Sequence, residues 1–341
     1  MPVSQEYTTR HAPTCDALDD IQFLIAAQKV FPCAEAARGA PSTSHPPAHD
    51  AFTRLLQRQP SNTTALWRDV RGLIERRDGA LVLDDTTLDK PYAQPQGLVT
   101  YHWSGKHHRV VKGINLLTLL WTDGARRLPC DFRVYDKPAG GETKNAHFQQ
   151  MLAVAKRRGL SPTTVLFDGW YASLKNLKQL RTLRWAFLTR LKVNRLVTLA
   201  RGRGAVPIAH VAIPAEGRVV HLRGYGFVKV FRLVAPDGDT AHWVTNDPQM
   251  TEAQRAALAL KGWGIESYHR GLKQCCGVER AQVRTTLAVR GHLLLAIRAF
   301  VRLEAHRWRT GLSWYAAKLA IVREAIRAYL AHPRYVLRAT A

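Results

Sequence analysis

Acidic residues are scarce in this sequence. Its 341 residues include 26 Asp and Glu against 50 Lys and Arg, which gives a formal net charge of +24 and a pI near 10.4. An excess of this size is unusual for a metabolic enzyme and is typical of proteins that neutralise phosphate groups. We therefore expect the main partner to be a polyanion, and nucleic acid above all.

Cysteine pairs, long apolar runs and a leader peptide are also lacking. The five cysteines show no spacing of a disulfide framework or a structural zinc site. No apolar run approaches the length of about 20 residues that spans a bilayer, and the N-terminus, MPVSQEYTTR, has no apolar stretch of a signal peptide. These absences predict a cytoplasmic protein without membrane contact. With 46% hydrophobic residues, the chain is able to bury a large core.

The first 76 residues have a helical pattern. Apolar residues recur at three- and four-residue steps in CDALDDIQFLIAAQ and in AHDAFTRLLQRQ, and a loop rich in Pro and Ser precedes the second segment. This region is either a small DNA-binding unit of helix-turn-helix type or a helical cap on the core. The basic composition favours the DNA-binding alternative.

Residues 77–191 alternate between apolar strands and amphipathic helices. The strands are ALVLDD, VVKGINLLTLLWTDG, RRLPCDFRVYD, TTVLFDGW and WAFLTRL, and helices KNAHFQQMLAVAKRRG and SLKNLKQLRTLR precede the last two strands. Three strands, a helix, a strand, a helix and a strand form the element order of an RNase H-like core. The predicted fold class is therefore α/β with a mixed sheet.

Two acids follow strands that lie side by side in such a sheet. The fold brings Asp85, after the first strand, next to Asp168, after the fourth. Each acid alone is equally consistent with a turn residue. Neighbouring carboxylates repel each other, however, and become favourable around a divalent cation such as Mg²⁺ or Mn²⁺. With Glu266 as a third ligand, the combination favours a metal site.

The segment WGIESYHRGLKQ combines one acid with three basic groups at helical spacing. Glu266 shares a helix face with His269, Arg270 and Lys273. Taken alone, this pattern is typical of a solvated amphipathic helix with internal ion pairs. Beside Asp85 and Asp168, it predicts a helix that presents Glu266 to a metal and Lys273 to a flanking phosphate.

Three motifs resemble those of DDE transposases encoded by bacterial insertion sequences, in the insertion-sequence-four superfamily. They are LVLDDTTLDKP, VLFDGWYAS and KGWGIESYHRGLKQ, within about residues 75–310. The resemblance implies that Asp85, Asp168 and Glu266 are the catalytic metal ligands and that Asp84 faces the other way. It also implies a β-rich insertion at residues 192–246, whose strands here are rich in Arg. Residues 247–341 then complete the core with the Glu266 helix and further helices.

The resemblance also implies a function. It predicts two-metal cleavage at the ends of an insertion sequence and strand transfer into target DNA, with Mg²⁺ as cofactor and Mn²⁺ as a substitute. The expected partners are double-stranded DNA, at terminal inverted repeats and target sites, and a second copy of the chain in a homodimer at the nucleoid. An RNase H-like nuclease without strand transfer and a non-catalytic transposase-derived repressor are the alternatives.

Several side chains are candidates for DNA contact. In many relatives an Arg and a Tyr lie four and seven residues before the Glu, but here Gly262 and Ala259 occupy those places, so a hairpin step is not implied. Trp243 either stacks on a flipped base or packs in the core. The predicted DNA-binding residues are Lys273, Arg270, His269, Lys106, Arg109, Arg223, Lys229 and Trp243.

Overall fold

A computed structural model describes residues 13–333, except 43, 94–96, 106, 137–140 and 201–203. Four short helices come first. The first, third and fourth pack against a long helix near the C-terminus, α9 (Thr286–Thr310), the second packs against the third, and the fourth also packs against the core sheet. Their buried apolar residues belong to the same hydrophobic core as those of the sheet. These helices thus pack on the core, and contact of this region with DNA stays a prediction. The four helices are α1 (Ala17–Ala26), α2 (Cys33–Arg38), α3 (His49–Gln57) and α4 (Thr64–Val70).

The predicted RNase H-like core is confirmed. Its strands run in the order β4-β3-β1-β5-β6, with β3 antiparallel to β1 and β4, and β5 parallel to β1 and β6. Two helices, α5 (Lys144–Arg157) and α6 (Leu174–Leu183), connect the last strands. The core strands are β1 (Ala80–Asp89), β3 (Arg109–Thr122), β4 (Arg127–Tyr135), β5 (Thr164–Phe167) and β6 (Phe187–Leu191).

Two features of this core differ from the prediction. Strand β1 does not end at its acidic pair but continues to Asp89, because every residue from Ala80 onward pairs with β3. A further short strand, β2 (Thr100–Ser104), pairs with the beginning of β3. The acidic pair therefore lies within a strand, where successive side chains point to opposite faces of the sheet.

The segment between β6 and the Glu266 helix extends the same sheet. Its last strand, β11 (Thr240–Thr245), is antiparallel to β6, and the order continues β11-β10-β9-β7-β8. The described part of the segment is thus continuous with the core rather than a separate β unit. Its other strands are β7 (Leu196–Thr198), β8 (Val206–Pro207), β9 (Arg218–Leu222) and β10 (Gly226–Val234).

Different helices cover the two faces of the central strands. Phe148 of α5 packs edge-on against Phe167 of β5. The neighbouring residue on the other face, Leu166, lies against Gly262 at the end of α7 (Glu252–Gly262). Helix α8 (Gly264–Cys275) follows α7 after one residue and packs on β1. A last helix, α10 (Trp314–Ala331), packs on α8 and α9. No helix in the described ranges is both long and apolar enough to cross a membrane.

Candidate active site

The strand register places Asp84 beside Asp168. The last pair between the parallel strands β1 and β5 joins Leu83 to Phe167, and the next residue on each strand is an aspartate. Asp168 continues the extended backbone, with φ −66° and ψ 153°, and its carboxylate accepts the Gly169 N–H at 2.5 Å. Paired residues of adjacent strands share a face. Both acids therefore lie on the face that α7 and α8 cover.

Glu266 approaches the same face from α8. It lies in the first turn of this helix and is exposed, as is Asp168. Burial raises the pKa of Asp84 well above its usual value, and the nearby charges of Asp85, Glu266 and Asp168 raise it further. The carboxylates of Glu266 and Asp168 thus lie close enough to Asp84 to disfavour its charged form.

Asp85 lies on the opposite face and is fully engaged there. Lys144 at the start of α5 pairs with its carboxylate at 2.7 Å, the Tyr171 hydroxyl donates to it at 2.5 Å, and the Asn115 amide donates at 2.6 Å. Burial alone would raise the pKa of Asp85, but Lys144 and these hydrogen bonds lower it below its usual value. Asp84, and not Asp85 as predicted, therefore lies on the face that Glu266 approaches. The register of β1 and β5 decides this, not the position of Asp85 directly before Thr86.

The donor chemistry of Asp84, Asp168 and Glu266 suits a hard divalent cation. Carboxylate oxygens are the ligands that Mg²⁺ and Mn²⁺ prefer, and a cation offsets the repulsion that raises the pKa of Asp84. Across the described ranges, no three His, Cys, Asp or Glu side chains converge closely enough to hold an ion as they stand. Two of the three acids, Asp168 and Glu266, are exposed and therefore accessible to an ion from solvent.

Two basic residues of α8 are turned inward. His269 is buried, and burial lowers its pKa to about 3, so it is uncharged at neutral pH. The Lys273 ammonium donates to the Thr87 carbonyl at 2.8 Å and pairs with Glu279 at 3.1 Å. Both side chains are thus directed into the protein, and their predicted contact with DNA stays a prediction. Arg270, by contrast, is exposed.

The other predicted DNA contacts differ in their surroundings. Arg109 and Arg223 are exposed, and the Lys229 ammonium lies 5.4 Å from the centre of the Phe231 ring. The Trp243 ring has Arg190 at 5.0 Å and Arg255 at 5.5 Å, is partly buried and packs against the core. Lys106 lies outside the described residues.

Sequence reasoning missed the partners of Asp85. Tyr171 directly follows the second Asp motif, but no sequence signal connects Lys144 or Asn115 with Asp85. Both are distant in the chain, and only the folded sheet brings them together. The contact to Lys144 depends on where α5 begins, which Thr143 sets by capping the helix through the Ala146 N–H.

Comparison with known proteins decides the family. The sequence matches the family model described as "Transposase DDE domain" over residues 75–302, more than half of the chain. The chain belongs to the DDE transposase family. Membership makes it an enzyme of DNA transposition, which acts on DNA, and members of this family generally use divalent metal ions. No curated protein matches the sequence.

Two solved transposase structures resemble the chain at low sequence identity. The piggyBac transposase synaptic complex with hairpin DNA has a TM-score of 0.49 and 9% identity, and the alignment covers 97% of this chain and 85% of that one. The Mos1 transposase paired-end complex with the left transposon end has a TM-score of 0.21 and 12% identity, with coverage of 94% and 82%.

Proposed function

We propose that this transposase cuts DNA at the ends of an insertion sequence and joins the freed ends to target DNA, with Asp84, Asp168 and Glu266 as its catalytic carboxylates. The observation that carries the proposal is the register of β1 and β5, which aligns two acids on the face approached by Glu266. Asp84 thus takes the place that the sequence motif had suggested for Asp85.

The three carboxylates would hold divalent metal ions, Mg²⁺ by preference and Mn²⁺ as a substitute. Ions bound there would activate the attacking oxygen and stabilise the leaving 3′ oxygen of the cut strand. Asp84 is fixed by its strand, whereas Asp168 and Glu266 sit at element ends and are exposed. The protein therefore supplies one rigid ligand and two that adjust as DNA arrives.

Asp85 has a positioning role in this proposal. Its three partners come from β3, from α5 and from the turn after Asp168, so one carboxylate connects the elements around the site. Tyr171 in particular connects Asp85 to the segment that carries Asp168. Burial and the charge of Asp85 raise the pKa of Tyr171 far above its usual value, so it remains a neutral donor at every working pH.

DNA would contact the basic surface of the insertion. Within the described part of residues 192–246, none of the basic side chains forms an ion pair. Lys192, Arg218, Arg223 and Arg232 are exposed. Their charge is thus available to phosphates, and Lys192 directly follows β6, the strand next to the one that precedes Asp168. Arg201 and Arg203 lie outside the described residues.

Two ends must be cut before either is joined, and a symmetric pair of subunits couples these events. We therefore include a homodimer on DNA in the proposal. Measurement of the mass of the complex with end DNA checks this part, and one protomer per DNA end with full excision activity would contradict it.

A strand-transfer assay tests the proposed function. The substrates are a duplex of the DNA that borders the gene, either intact or pre-cut at its 3′ end, with a supercoiled plasmid as target and Mg²⁺ or EDTA in the buffer. We expect Mg²⁺-dependent cleavage of the intact duplex and joining of both substrates to the plasmid. Cleavage without joining would favour the nuclease alternative. Binding without either reaction would favour the repressor.

A further inference from the structure

An arginine lies in the strand next to Asp168, on the face of the carboxylates. Strands β5 and β6 are parallel, and their last pair joins Phe167 to Thr189, so the next residues, Asp168 and Arg190, are neighbours across the sheet. Adjacent strands are about 4.8 Å apart, and neighbours in register share a face. Arg190 therefore continues the row that begins with Asp84 and Asp168.

Trp243 fixes the position of the Arg190 guanidinium. The two residues are directly paired between β6 and β11, and the guanidinium lies 5.0 Å from the centre of the indole ring. Arg255 of α7 also stacks on this ring, which confirms that the row faces α7. Stacking on an aromatic ring orients a guanidinium without using its N–H donors.

Arg255 has an acidic partner, whereas Arg190 has none among the described residues. Arg255 forms two hydrogen bonds to the Glu252 carboxylate, at 2.8 and 2.7 Å. Arg190 is exposed and forms no ion pair with any residue in the described ranges. Even Asp168, its neighbour in the row, turns its carboxylate to the Gly169 N–H instead. An oriented guanidinium beside Asp168, with no acidic partner among the described residues, is suited to a ligand that brings its own negative charge.

We propose that Arg190 binds a phosphate of the DNA strand at the cleavage site, and that Trp243 is a positioning residue that orients it. This inference rests on the proposed function, because it assumes that the phosphodiester to be cut lies over Asp84 and Asp168. A phosphate there carries two non-bridging oxygens, which match the paired donors of a guanidinium. Trp243 thus contributes to DNA binding through Arg190 rather than by stacking on a base.

Binding measurements in EDTA test the proposal independently of catalysis. The probe is a fluorescein-labelled duplex of the DNA that borders the gene, and the variants are Arg190→Gln, Arg190→Lys and Trp243→Leu. We expect Arg190→Gln to weaken binding about fivefold to tenfold and to flatten the slope of log K against log salt by about 0.9, the value for one lost phosphate contact. Arg190→Lys should keep the slope, since it keeps the charge. Arg327→Gln, on exposed α10, is the matched control and should change neither quantity.

A neutral methylphosphonate at individual phosphates of the same duplex identifies the contact. If Arg190 binds the phosphate at the cleavage site, the neutral group there should weaken binding by wild type but not by Arg190→Gln. Trp243→Leu should behave like Arg190→Gln, and the double variant should lose no more than either single one. Equal methylphosphonate effects in wild type and Arg190→Gln would overturn the proposal, as would an unchanged salt slope in Arg190→Gln. If wild type binds this DNA but does not cut it, the proposed function fails, and the salt slope of Arg190→Gln still decides whether Arg190 contacts a phosphate.

Discussion

Adjacent aspartates in one strand should respond in opposite ways to the same small substitution. Asp84→Asn removes a carboxyl group whose charged form is disfavoured by burial and by the nearby charges of Asp85, Glu266 and Asp168. Asp85→Asn removes the partner of a partly buried lysine. Both changes preserve the shape of the side chain. In buffer without divalent ions, we expect Asp84→Asn to raise the free energy of unfolding and Asp85→Asn to lower it.

The magnitudes follow from the positions of the charges. Two carboxylates about 5 Å apart repel each other by roughly 3 kcal/mol at an effective dielectric constant of about 20. Solvent around the exposed Asp168 reduces this to about 1 kcal/mol, or about 2 °C in Tm for a chain of this size. Loss of one partner from a fully buried ion pair costs about 3–5 kcal/mol. Lys144 and Asp85 have side chains that are 18% and 21% exposed, so we expect roughly 2–3 kcal/mol for Asp85→Asn.

The gain in Asp84→Asn should also depend on pH. The pKa of Asp84 is raised in the folded state. Ionisation of Asp84 therefore lowers the free energy of unfolding once the pH exceeds the pKa of an ordinary carboxyl group, and this loss of stability is complete above the raised pKa. The difference between Asp84→Asn and wild type should therefore be present at neutral pH and vanish on acidification toward pH 4. The stability difference between wild type and Asp85→Asn should instead disappear over the acidic range, because Asp85 of the wild type becomes protonated there.

Urea unfolding with and without Mn²⁺ measures both effects. Mn²⁺ should stabilise wild type and Asp85→Asn, because an ion that binds only the folded state adds to its stability, and should not stabilise Asp84→Asn. The reasoning is refuted if Asp84→Asn is less stable than wild type at neutral pH while Asp85→Asn is unchanged. It is equally refuted if Asp85→Asn is the variant that no longer responds to Mn²⁺.

Three further outcomes are expected. A triple variant with Lys192→Gln, Arg218→Gln and Arg223→Gln should bind DNA of any sequence more weakly, and its slope of log K against log salt should be flatter by about 0.9 per lost contact. Fluorescence anisotropy at several salt concentrations measures both quantities. Burial lowers the pKa of His269 to about 3 and that of His292 to about 4, so these histidines are protonated in the unfolded chain at a higher pH than in the folded protein. Acidification below pH 6.5 should therefore destabilise the protein by up to about 1.4 kcal/mol per pH unit for each of the two histidines. His269→Gln should reduce this pH dependence in urea unfolding and leave the salt slope of DNA binding unchanged, and a smaller slope would show that His269 contacts phosphate.

The order of the core elements could be predicted from the sequence because each strand is a short apolar run with a clear boundary. The turn at Thr122-Asp123-Gly124 and the caps of α5 and α6 provide such boundaries. The sheet order then follows from the fold class. Strand β2, with the sequence TYHWS, was not predicted because it contains no apolar run. Its aromatic residues Tyr101 and Trp103 are exposed and alternate with buried polar residues.

The site was predictable only in part, for reasons of register. Sequence spacing places Asp168 after an apolar strand and Glu266 near the start of a helix, but it does not determine which of two adjacent acids faces α8. That choice depends on the alignment of Leu83 with Phe167 in β5, and a shift of one residue reverses it. The inward positions of His269 and Lys273 are likewise set by packing of α8 on β1, which helical spacing alone does not reveal.

The most direct test of the central claim is anomalous diffraction from crystals of the transposase bound to end DNA in the presence of Mn²⁺. We expect Mn²⁺ within about 2.0–2.2 Å of oxygens of Asp84 and Asp168, and Glu266 as a further ligand of the same ion or of a second one. Lys144 should remain paired with Asp85 in that structure. Mn²⁺ bound by Asp85, or Asp84, Asp168 and Glu266 more than about 10 Å apart around bound DNA, would contradict the account.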